Sequence, residues 1–150
     1  MQIEVVPVIW VFAGWAAVTA AYFVAGARAG AVAAPASTSP YLSERAAVER
    51  LHELSRSRFG AKSVTYQVFV NGCGALLLVF FVLQGKLWAG LFFVPLGLWM
   101  IYDSLSSPFL LRELHPRLVG APDWAYFLTG IAVWAYCLAC VGMRLEGKAW

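Results

Sequence analysis

The sequence predicts an all-α integral membrane bundle of four transmembrane helices, with short amphipathic helices on the cytoplasmic side. Three observations carry that reading. Of 150 residues, 61% are apolar and only 13% are charged, against about 45–50% and about 25% in a soluble domain. Mean hydropathy is +0.72. The apolar residues gather into four runs that reach or approach the ~20 residues a helix needs to cross ~30 Å of hydrocarbon. Such a composition excludes a disordered chain and an ordinary soluble enzyme. A net charge of +3, scattered along the chain, is no nucleic-acid footprint. The length fits one polytopic domain, residues 1–150.

The first span covers residues 5–26 and holds no charge, with Pro7 in its first turn, where a missing N–H is tolerated. Ala25-Gly26-Ala27 has the look of a signal-peptide cleavage site. The opening Met1-Gln2-Ile3-Glu4 lacks a basic residue, however, and the apolar run exceeds the usual ~7–15, so the segment is read as a retained span. Ala13, Ala17, Ala21 and Ala25 form one stripe on it. Small residues four apart let helix backbones approach closely, either within the bundle or against another subunit.

Residues 27–63 form the long connection. Gly30 to Ser39, rich in Ala, Ser and Pro, reads as a linker, and Ser39-Pro40 as a helix start. An amphipathic helix is expected over residues 40–59, with Ala47, Val48, Leu51 and Leu54 at helical spacing and Gly60 as its stop. It would lie on the membrane surface, pack on the bundle ends or dock a partner; in the first case Arg45, Arg56 and Arg58 are candidates for lipid-phosphate or anion contact.

The second span covers residues 64–83. Gln67, Asn71 and Gly74 share one face, which should point at protein or a polar cavity, since an unpaired amide in lipid is costly. Interhelical hydrogen bonds and a polar ligand lining both fit that face. Gln84-Gly85-Lys86 is a turn too short for anything but antiparallel neighbours. The third span, residues 87–107, carries Asp103, intramembrane or interfacial, with Lys62 and Arg112 as partners; Pro95 and Gly97 are a potential kink. Ser107-Pro108 then reads as the start of a short helix over residues 109–115, ended by Pro116. Asp123 is placed to cap the fourth span, residues 124–143. Trp10, Trp15, Trp88, Trp99, Trp124 and Trp150 fall mostly toward span ends, as headgroup-level anchors do, and Trp134 in mid-span reads as packing.

Eight Lys and Arg residues fall in the two longer connections or beside them, against Lys86, Arg144 and Lys148 on the opposite side. The positive-inside bias puts those connections in the cytoplasm and both termini outside or in a lumen. It does not separate a bacterial inner membrane, endoplasmic reticulum or mitochondrial inner membrane.

No catalytic set is legible. His52 and His115 sit in connections outside any ligand pattern, and no span holds a His, so neither a metal site nor a haem ligand is expected, and no cofactor. Cys137-Leu138-Ala139-Cys140 has redox spacing, but its sulfurs lie in hydrocarbon, where a thiolate is disfavoured. The vitamin K epoxide reductases, which also have such a pair in the last of four helices, need a second pair in the first loop, and this loop has none. With Arg58 and Asn71 near and on its second span, the layout resembles the four-helix membrane proteins of eicosanoid and glutathione metabolism. That resemblance is architectural. Gly72, Cys73 and Gly74 follow Asn71 where that family has a Glu, the third span lacks an Arg, and glutathione binding is not carried over.

The leading expectation is a non-catalytic small membrane protein, a subunit or assembly partner of a larger complex, with the bilayer and a protein partner or its own oligomer around it. Two others stand beside it. One is an enzyme on a lipophilic substrate built from Arg56, Arg58, Asn71 and Tyr102. The other is a small oligomeric transporter or channel lined by Gln67, Asn71 and Asp103.

Overall fold

The computed structural model describes residues 6–32, 49, 53–54, 56–114 and 119–147. Four helices make up the bundle: α1 (Val6–Val32), α2 (Ala61–Val82), α3 (Leu87–Leu114) and α4 (Ala121–Leu145). All four are long and apolar enough to cross a membrane. No strand occurs among the described residues. Successive helices are antiparallel. Phe12 meets Gly74 and Trp134, while Gly26 meets Phe59 and Trp15 meets Gly130. Neighbours run α1–α2, α2–α3, α3–α4 and α4–α1 around the bundle, with α3 and α4 the most closely packed pair.

Most of the amphipathic helix expected over residues 40–59, Arg45 included, lies outside the described residues, as do His52 and His115. Residues 53–54 and 56–58 are helical, and the chain breaks at Gly60, which is also the N-cap of α2. Two boundaries differ most from the sequence reading, while the starts of α2 and α4 lie three residues earlier than expected. Helix α1 runs on to Val32, past the apolar stretch, with Arg28 exposed. Helix α3 passes straight through Pro108, so Ser107-Pro108 starts no new helix. A proline inside a helix removes one backbone hydrogen bond and costs ~3 kcal/mol. Here its ring is fully buried, and the helix beyond it keeps contact with α4, where the Phe109 and Trp124 rings meet edge-on at 5.6 Å. Packing offsets the missing bond.

The opposite end is closed by devices of its own. Gly85 has φ +65°, a conformation that side chains disfavour. This lets the turn return the Lys86 N–H to the Phe80 carbonyl at 3.0 Å. Arg144, in the last turn of α4, donates to the Val82 carbonyl at 3.1 Å and lies over the Phe81 ring. That carbonyl is among the four a helix leaves unpaired at its end, so α4 caps α2.

Large side chains of one helix enter the bundle where another helix has no side chain. The row Val8, Phe12, Trp15 and Thr19 faces inward from α1 and is buried. Phe12 sits edge-on to Trp134 at 5.1 Å, and Phe93 stacks on Trp134 at 5.5 Å. A Cβ added at Gly74 would lie 2.8 Å from Phe12 and 2.9 Å from Trp134, and one at Gly130 would lie 2.9 Å from Trp15. The alanine stripe of α1, Ala13, Ala17, Ala21 and Ala25, is exposed. Close approach inside the bundle therefore runs through glycines on the other helices. Trp15, expected at headgroup level, belongs to the interior, whereas Trp10, Trp88 and Trp99 are exposed.

Gly74→Val should lower unfolding stability in mixed micelles by about 1–3 kcal/mol through overpacking. Gly72→Ala, which meets open space, should be neutral or gain up to about 1 kcal/mol of helix propensity. Circular dichroism along a denaturing-detergent titration reads both.

Candidate functional site at the loop-side end

At the end carrying the α1–α2 and α3–α4 connections, one carboxylate gathers three groups. Asp123 stands in the first turn of α4, where the helix dipole favours a negative charge. Its Oδ2 accepts the Gly120 N–H at 2.7 Å. Asp123 therefore closes the helix start from the third position, and Gly120 takes the cap position that the sequence reading gave to Asp123. Its Oδ1 accepts the Tyr22 hydroxyl at 2.6 Å and Arg58 Nη2 at 2.9 Å. Arg58 Nη2 also donates to the Tyr22 hydroxyl oxygen. The side chains of Arg58 and Asp123 are 11% and 17% exposed, so this pair is largely withdrawn from solvent.

An aromatic stack supports the cluster. Tyr22 lies flat on Tyr126 at 3.9 Å, and Trp15 stacks on Tyr126 at 5.0 Å. The Arg58 guanidinium lies 5.1–5.7 Å from the Tyr22, Phe59 and Phe127 ring centres. Cation–π attraction adds about 0.5–2 kcal/mol per favourable contact. Arg58, a sequence candidate for lipid-phosphate contact, thus joins α1 to α4. Arg56 is exposed.

Beside this cluster lies a cavity of about 480 Å³, bordered by Arg58, Lys62, Tyr66, Gln67, Asp103 and Ser107 as well as the Tyr22–Tyr126 stack. Asp103 is half-buried there. Of its expected partners, Lys62 borders the same cavity and Arg112 is exposed on α3. Neither forms an ion pair with it, and among the described residues the Asp103 carboxylate has no hydrogen-bond partner. The Tyr66 hydroxyl, by contrast, accepts the Trp99 indole N–H at 2.8 Å.

Gln67, Asn71 and Gly74 do face protein, as their spacing requires, but not as a bridge between helices. Asn71 Nδ2 donates back to the Gln67 carbonyl of its own helix at 2.8 Å. That carbonyl, one turn earlier, is the nearest acceptor a short amide can reach. Asn71 Oδ1 is buried and has no hydrogen-bond partner among the described residues. Gln67 and Asp103 border one cavity, whereas Asn71 lines a neighbouring groove. Of the enzyme candidates, Tyr102 is 62% exposed and packs on Trp99, and neither Tyr102 nor Arg56 borders the cavity or the groove. Cys137 and Cys140 are buried free thiols within the core. No group of three metal-ligating side chains occurs among the described residues.

Nothing in the sequence pairs Tyr22 with Asp123. They stand 101 positions apart, and Arg58 and Asp123 stand 65 apart. The available signal was local: an acid in the first turn of a span. Comparisons with protein-family models, curated proteins and solved structures give no match to this chain.

Arg58→Leu should destabilise the bundle by about 3–5 kcal/mol, because it strands a largely buried carboxylate. Arg58→Leu with Asp123→Leu should recover about 1–3 kcal/mol of the summed single losses. Equilibrium unfolding of the four proteins in that double-mutant cycle measures the coupling.

Proposed function

We propose that this chain is a non-catalytic small multi-pass membrane protein that serves as a subunit or assembly partner of a larger membrane complex. The observation that carries the reading is the outward alanine stripe: Ala13, Ala17, Ala21 and Ala25 are all exposed on α1. Of the four candidate spans, α1 also has the smallest share of its residues buried within the chain. Lipid gives helices no hydrophobic reason to associate, so association depends on close packing, which small residues permit. The charges at the loop-side end fit the same reading, since Arg58 and Asp123 hold the chain's own helices together.

Native mass spectrometry after gentle detergent extraction from the source membrane tests it. The expected result is this chain together with other polypeptides in fixed ratio. Ala17→Leu with Ala21→Leu should remove those partners while leaving the unfolding midpoint unchanged, because both positions are exposed. A chain recovered alone, or only with copies of itself, overturns the reading.

The same proposal places the loop-side end in the cytoplasm and both termini outside or in a lumen, on the Lys and Arg excess of that end. A reporter fused after Trp150 that is active only outside the cytoplasm should be active. One inserted between Ser37 and Thr38 should be silent.

A further inference from the structure

The loop-side cavity has a neighbour. A groove of about 490 Å³ runs between α1 and α2, walled by Ala16, Ala20, Val64, Val68 and Ala75 among others, and is almost wholly apolar. Along α2 it extends from Val64 to Ala75, about 16 Å at a rise of ~1.5 Å per residue. Phe23 and Gln67 border both spaces. One end of the combined site is therefore polar and charged, and the other suits a hydrocarbon chain.

The charges at the polar end are of both signs. Arg58 is bound to Asp123. Lys62 and Asp103 border the cavity without an ion pair between them. A carboxylate half-withdrawn from water in a membrane bundle favours a cation beside it. Lys62, exposed in the first turn of α2, offers a counter-charge for an anion. Each cavity falls in the ~300–1,000 Å³ range of small-molecule sites. A ligand with one positive group, one negative group and one apolar chain matches all three features.

We propose that this end of the bundle binds a single-chain zwitterionic amphiphile, with its ammonium at Asp103, its phosphate at Lys62 and its acyl chain in the α1–α2 groove. Gln67, at the junction, is placed to hydrogen-bond the polar linkage between head and chain. The site involves neither the outward alanine stripe nor a protein partner, so it stands or falls separately from the subunit reading.

The test uses the full chain in detergent micelles, with native mass spectrometry reading retained lipid. The probes are a 16-carbon lysophosphatidylethanolamine and the lysophosphatidylglycerol of equal chain length, which lacks the ammonium. The protein should retain the first about tenfold better. Asp103→Asn should abolish that preference, Lys62→Gln should lower retention of both lipids, and Ala20→Phe should do the same by filling the groove. Unchanged helicity and unfolding midpoint identify the variants that keep the fold. Equal retention of the two lipids by the unaltered protein, a preference that survives Asp103→Asn, or retention indifferent to both Lys62→Gln and Ala20→Phe would each overturn the proposal.

Discussion

Asp123 has to satisfy a charge close to hydrocarbon, and its solution organises the loop-side end of the molecule. One oxygen closes the start of α4 through the Gly120 N–H, and the other holds Tyr22 of α1 and Arg58 at the approach to α2. In a low-dielectric setting such bonds are strong when complete and costly when any member is missing. The cluster therefore ties three segments far apart in the chain into one arrangement. The Trp15–Tyr126–Tyr22 stack then extends that arrangement into the interior.

Farther in, shape replaces charge. Lipid is as apolar as the side chains, so the bundle gains by dispersion contact and not by expelling water. The aromatic row of α1 meets Gly74 and Gly130, and Trp134 lies between Phe12 and Phe93. At the far end, Arg144 closes α2 on the Val82 carbonyl. Both ends thus carry an arginine that ties α4 to another helix. The α1–α2 side is the less closely packed flank, and the apolar groove opens there beside the polar cavity.

The helices themselves were legible because each span obeys a requirement local to its own stretch: enough apolar residues in succession to cross the bilayer with every backbone group bonded inside the helix. The turn at Gly85 and the break at Gly60 were legible for a similar reason. Pro108 misled, because its local preference for a helix start is weaker than the packing of a buried ring and of the α3 residues beyond it against α4. The alanines of α1 point to close helix approach, yet within the chain they are exposed and that approach is made at Gly74 and Gly130. Small residues advertise a possible contact without saying which helix will use it.

Four apolar helices in succession with a tight turn between the middle pair, a shared face for Gln67, Asn71 and Gly74, and a carboxylate at Asp103, near the end of a span, can all be read from the chain alone. Tertiary packing alone brings Arg58 and Tyr22 to Asp123, sets Asp103 and Lys62 around one cavity, and leaves Tyr102 outside its lining. Periodicity and composition are properties of a short stretch of chain. A pairing across 65 or 101 residues depends on which faces the packed bundle turns toward each other, and no single stretch contains that information.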